Sequence, residues 1–62
     1  MFQYLVHWQD RTRPPETVLA DRFEDEGDDF VFYTTVAGGV EQRAAIRQSE
    51  VEIITLEGQL GV

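Results

Sequence analysis

The apolar residues of this chain recur at every second position, a pattern that suits antiparallel β-structure and little else. Phe2, Tyr4, Val6 and Trp8 fall on one face of an extended segment and Gln3, His7 and Gln9 on the other, with Leu5 the lone apolar residue on the polar side. Phe30, Phe32, Thr34 and Val36 repeat the pattern opposite Val31, Tyr33 and Thr35.

The interruptions divide the chain into five strands. Asp10-Arg11-Thr12-Arg13-Pro14-Pro15 ends the first, because consecutive prolines donate no backbone hydrogen bonds and hold φ fixed. The second runs from Glu16 to Glu24, with Val18 and Ala20 in phase and Phe23 out of phase; a β-bulge near Asp21-Arg22 returns Phe23 to the core side. Asp25-Glu26-Gly27-Asp28-Asp29 reads as a turn. Gly38-Gly39 closes a hairpin between the third strand, Phe30 to Val36, and the fourth, Val40 to Arg47, whose in-phase set is Val40, Gln42, Ala44 and Ile46. Glu41 to Gln48 has helix-forming composition but no clean apolar stripe, and the preceding Gly-Gly turn favours a strand. Gln48-Ser49-Glu50 reads as a single helical turn. Val51 to Leu56 is the fifth strand and is apolar on both faces, Val51 and Ile53 on one, Ile54 and Leu56 on the other. Residues 1–57 form one domain and 58–62 a flexible tail.

With 62 residues, a single domain buries only ~60% of the surface its unfolded chain exposes. Five short antiparallel strands, tight hairpins and a one-turn helix before the last strand resemble an SH3-like small barrel, which removes most of the free edges that Phe-Val-Phe-Tyr-Thr-Thr-Val would otherwise present. The run Val18 to Asp28, followed by Phe30-Val31-Phe32-Tyr33, resembles small acidic proteins of actinobacteria and their phages; this likeness implies a fold and a source and no activity. The absence of Lys and Asn, whose codons are rich in A and T, points the same way, towards a high-GC genome. Tyr4-Leu5-Val6-His7-Trp8 resembles the Tyr-Leu-Val-x-Trp strand of chromodomains, whose aromatic cages hold methyl-lysine; no Trp-Glu follows on the next strand, and core packing is the expected role of these rings.

Twelve acids against five bases, all Arg, leave a net charge of −7, which disfavours direct binding to nucleic acid or an anionic membrane. Without Cys there is no disulfide, thiolate metal site or Cys nucleophile. The chain carries neither a secretory h-region nor a run of ~20 apolar residues, so the expected location is the cytoplasm or a phage assembly. His7 and Ser49 are the only His and Ser, and nothing around them supplies an oxyanion hole, so a non-enzyme is expected. The acidic turn fails the EF-hand pattern, since a Gly at the sixth position would put Arg22 at the first ligand, and no cofactor or metal is expected.

Two binding readings remain. In the first, the chain is a non-catalytic protein-interaction module or small assembly component, docking another protein or a second copy of itself. Its contacts are an apolar outer patch with Leu5, Tyr33, Ile54 and Leu56, joined by Val31, and the Pro-stiffened loop presenting Arg11 and Arg13. In the alternative, Glu24, Asp25, Glu26, Asp28 and Asp29, with Asp21, Glu50, Glu52 and Glu57, form an acidic face that mimics nucleic acid and inhibits a basic protein.

Overall fold

The computed structural model describes residues 1–59 and is all-β, apart from one turn of 3-10 helix. The strands are β1 (Phe2–Trp8), β2 (Glu16–Ala20), β3 (Arg22–Asp25), β4 (Asp29–Val36), β5 (Gly39–Arg47) and β6 (Val51–Gln59), with the 3-10 turn at Gln48–Glu50. Among the described residues, no helix is long and apolar enough to cross a membrane.

They form two three-stranded antiparallel sheets, ordered β2-β1-β6 and β3-β4-β5. The expected single second strand is therefore two. Val18 and Ala20 pair with Tyr4 and Phe2 in the first sheet, whereas Phe23 pairs with Phe32 in the second. Asp21 is the corner between them. Its N–H donates to the Tyr33 carbonyl at 2.8 Å, and its carboxylate accepts from the Thr34 hydroxyl at 3.0 Å and the Thr35 N–H at 2.6 Å. These bonds hold the Asp21 carboxyl below the usual carboxylate range, the Thr35 N–H contributing most. A change of sheet, in place of a bulge, is what returns Phe23 to the core.

The core lies between the inner faces. Val6, Ala20 and Phe32 are fully buried, and Trp8, Val18 and Val51 nearly so, with Tyr4, Phe23, Phe30, Ala44, Ile46 and Ile54 packed around them. Phe32 meets Tyr4 at 5.7 Å and Phe23 at 5.3 Å between ring centroids, and Tyr4 meets Phe23 edge-on at 5.3 Å. Such ring pairs each add ~0.5–1.5 kcal/mol beyond burial alone, a large share of stability in a chain this small.

Three one-residue insertions interrupt the ladders, at Arg43, Glu52 and Glu57, and the first two change which of the expected side chains face the core. The β4–β5 register shifts between Phe32 and Tyr33, so Arg43 is an extra residue: Ala44 sits opposite Phe32, and Gln42 opposite Tyr33. Val40 and Gln42 consequently lie on the outer face, not in phase with Ala44 and Ile46 as the alternation suggests. In β6, a shift between His7 and Trp8 makes Glu52 the extra residue. Val51, Ile54 and Leu56 then share the inner-facing side with Trp8, Val6 and Tyr4, and Ile53 stands across from His7. Gly58 and Gln59 continue β6, which corrects the tail expected from residue 58; residues 60–62 lie outside the described region.

The turns follow the glycines. Gly27 at φ 86° and Gly38 at φ 93° adopt left-handed backbone where a side chain would be strained, one in the acidic turn and one in the β4–β5 hairpin. Glu41 to Arg47 is strand, as the Gly-Gly turn indicates.

Candidate functional site

Neither sheet closes onto the other by a hydrogen-bonded ladder, so the edges of β3 and β6 face each other across an open seam. This seam is a groove of about 230 Å³ lined by Phe23, Phe30, Val51, Ile53 and Ile54, with Gln48 and Glu52 as its polar members. Phe23 and Phe30 meet edge-on at 5.9 Å and form one wall. Gln48 ties the groove to the acidic turn, its side-chain amide donating to Asp25 Oδ1 at 2.5 Å and to the Asp29 carbonyl at 3.3 Å.

The acidic turn itself is ordered by local hydrogen bonds. The Glu26 N–H donates to the Asp29 carbonyl at 2.9 Å, and the Gly27 N–H to Asp25 Oδ1 at 3.1 Å. The Tyr33 hydroxyl donates to the Glu26 carboxylate, an interaction that raises the phenol's pKa above its ordinary value. Glu24 pairs with Arg22 at 3.6 Å, while Asp25, Glu26, Asp28 and Asp29 have no basic partner among the described residues. The described residues contain no group of three or more His, Cys, Asp or Glu arranged to hold a metal.

The apolar patch expected from the alternation is dispersed. Leu5 is half-buried on the outer face of the first sheet, between Thr17 and Thr55 on the neighbouring strands. Tyr33 lies on the outer face of the second sheet, with the Arg22 guanidinium 5.0 Å from its ring centroid, and Val31 on the same face is buried. Ile54 packs against the core, and Leu56, on the same side of β6, is 60% exposed. The extra residue at Glu52 and the sandwich geometry together prevent these side chains from sharing one surface. What the structure assembles instead is the seam, whose members Phe23, Phe30 and Val51 carried no signal as an outward-facing group. Their roles as core residues and as groove lining become separable only once two strand edges stand apart.

The Arg-Pro loop folds back onto the body. The Arg13 guanidinium lies 3.6 Å from the Trp8 ring centroid and 3.4 Å from Glu50, and Arg11 is 3.6 Å from Glu52. The loop is turned by Asp10, whose carboxylate accepts from the Thr12 hydroxyl at 2.7 Å and the Thr12 N–H at 3.0 Å; these bonds lower the Asp10 pKa. Beneath the loop, Trp8 is 7% exposed and its Nε1–H has no hydrogen-bond partner among the described residues. An unpaired buried donor of this kind costs ~1–3 kcal/mol.

His7 and Ser49, the two residues catalysis would need first, occupy β1 and the 3-10 turn. Comparison of the chain with protein-family models, curated proteins and solved structures finds no match.

Proposed function

We propose that the chain is a non-catalytic protein-interaction module, an SH3-like small barrel whose two sheets are not joined by a ladder, which docks an extended segment of another protein between β3 and β6. The observation that carries this reading is the pairing of two free strand edges across an apolar groove with an uncompensated acidic turn beside it. Free edges offer unpaired backbone donors and acceptors, and the groove offers pockets for alternate side chains. The carboxylates beside it favour a segment that alternates apolar and basic residues. A small component of a phage or actinobacterial assembly belongs to the same reading.

The test is a titration of the 15N-labelled chain with an acetylated, amidated hexapeptide of alternating lysine and valine. Saturable shifts at the amides of Phe23 and Val51 to Ile54 are expected. Ile53→Ser should weaken binding about tenfold, in line with ~1.5 kcal/mol or more for a buried aliphatic side chain. Shifts absent from the groove count against the seam as the docking site.

The ordered acidic turn supports a second reading, a rigid carboxylate array that mimics nucleic acid. Under that reading, Asn and Gln replacements at Glu24, Asp25, Glu26, Asp28 and Asp29 abolish binding to a basic nucleic-acid-binding protein, and Ile53→Ser leaves it unchanged.

A further inference from the structure

Charge is divided unevenly between the outer faces of the two sheets. On the first sheet, one cross-strand row holds Thr17, Leu5 and Thr55 and the next holds Leu19, Gln3 and Gly58. His7 and Ile53 stand opposite each other at the end of the same face. None of these is Asp, Glu, Lys or Arg, in a chain whose net charge is −7. The outer face of the second sheet holds Arg22 and Glu24 opposite Tyr33 and Val31, and Arg47 opposite Asp29. Leu19 is 36% exposed, and Leu5 is half-buried at the centre of its row.

The charged groups bordering the first face are engaged with neighbours. The Glu57 carboxylate accepts from the Thr55 hydroxyl at 3.1 Å, Arg11 and Glu52 pair at 3.6 Å beside His7, and the N-terminal ammonium lies 3.4 Å from Asp21. Depletion of charge, more than bulk hydrophobicity, marks the centre of a protein interface. The Cα atoms span 38 × 25 × 12 Å, the short dimension close to the ~10 Å separation of packed sheets. A broad face of such a slab has room for the ~800 Å² per partner that a stable interface buries. Contact about a two-fold axis sets side chains near the axis against their own copies. A carboxylate there would repel its mate, whereas the Gln3 amide and the Thr17 hydroxyl both donate and accept, and so pair with themselves.

We propose that the outer face of the β2-β1-β6 sheet docks a second copy of this chain, in a two-fold dimer with first sheet packed on first sheet. The strands of the two copies then lie within ~30° of one another, as in a sandwich, with Leu5 and Leu19 as the apolar centre. The charged outer faces of the second sheets point away from each other, so the contact brings together the one broad surface on which two copies of −7 do not oppose like charges. This goes beyond the groove reading and does not rest on it: β2, which carries Thr17 and Leu19, is the strand of its sheet farthest from the seam at β6.

The test is sedimentation equilibrium of the full chain up to millimolar concentration, at low and at high NaCl. The mass should rise with concentration from 7.1 kDa towards twice that value, and high salt should strengthen the association by screening the net charge that both copies carry. Thr17→Glu places a carboxylate at an exposed position of the central row and should weaken the dimer at least about tenfold. Gln42→Glu adds the same charge to the outer face of the second sheet and should change the association less than about twofold. Without any variant, diluting the 15N-labelled chain should shift the amides of Leu5, Thr17, Leu19 and Thr55 and leave Arg22, Tyr33 and Gln42 in place. A chain that is monomeric throughout overturns the proposal, as does an association that salt weakens. So do a dimer that Gln42→Glu weakens as much as Thr17→Glu, and dilution shifts confined to β5. A dimer that binds no lysine–valine peptide keeps this face and rejects the seam; peptide shifts at Phe23 in a chain that stays monomeric do the reverse.

Discussion

The guanidinium of Arg13 stacks 3.6 Å over the indole of Trp8 and fastens the Pro-rich loop to the end of β1. A cation–π contact at a half-exposed site contributes ~0.5–1 kcal/mol. Arg13→Ala is expected to lower stability by about 1 kcal/mol, a fall of ~4–8 °C in Tm for a domain of this size. Urea unfolding followed by Trp8 fluorescence measures it, and the folded-state emission should also change as the ring face is uncovered. Arg13→Lys should recover less than half of the loss, since an ammonium does not stack as a planar guanidinium does.

Phe32 should be indispensable. It is fully buried and in ring contact with Tyr4 and Phe23. Removing a buried Phe side chain costs ~3–5 kcal/mol, which matches the whole of the ~3–5 kcal/mol that a core of this size supplies. Phe32→Ala is therefore expected to be unfolded at 25 °C by circular dichroism, while Phe32→Leu folds with reduced stability.

Asp21 makes the chain sensitive to acid. Its folded pKa lies below the unfolded value, chiefly through the Thr35 N–H and then the Thr34 hydroxyl. A depressed carboxyl stabilises the fold above its unfolded pKa of ~3.9, and that contribution is lost as pH falls through the lower folded value. Stability measured from pH 6 down to pH 2 should decline, and Asp21→Asn should flatten part of the decline. An acid limb identical in the variant would show that the corner does not titrate as described.

The extra residue at Arg43 interrupts the β4–β5 ladder on an edge strand, β5. Bulges bend and twist a strand and so spoil the flat template that another chain needs for pairing. Deleting Arg43 leaves Ala44 opposite Phe32 and Gln42 opposite Tyr33, and produces an unbroken, nearly straight edge. The deletion variant is expected to stay folded and to self-associate more strongly than the parent in sedimentation velocity, despite one more unit of net negative charge.

The alternation Phe2-Tyr4-Val6-Trp8 was legible because a strand with one buried face must place its apolar residues two apart, and β1 pairs with β2 in unbroken register. Gly27 and Gly38 marked turns because only glycine takes those φ angles without strain. The insertions at Arg43 and Glu52 were not legible, since an extra residue is defined by its partner strand and leaves no mark on its own. Those two residues decide whether Gln42, Ile53 and Ile54 face inward or outward, and with them the candidate site. Phe23 showed the strain of this more openly: its phase conflict with Val18 and Ala20 signalled a break near Asp21, though not that the chain changes sheets there. The Arg13–Trp8 stack depends on the path of a loop, which alternation does not encode.

Along the described chain, the polypeptide passes from one sheet to the other only at Asp21 and through Gln48–Glu50. Both crossings are pinned by backbone bonds, Asp21 N–H to the Tyr33 carbonyl, Gln48 N–H to the Asp28 carbonyl and Gln9 N–H to the Glu50 carbonyl. The two sheets are thereby held together by two short crossings and by the aromatic filling between them, with no ladder rung shared from one sheet to the other, so cohesion between the halves rests on packing while cohesion within each rests on hydrogen bonds.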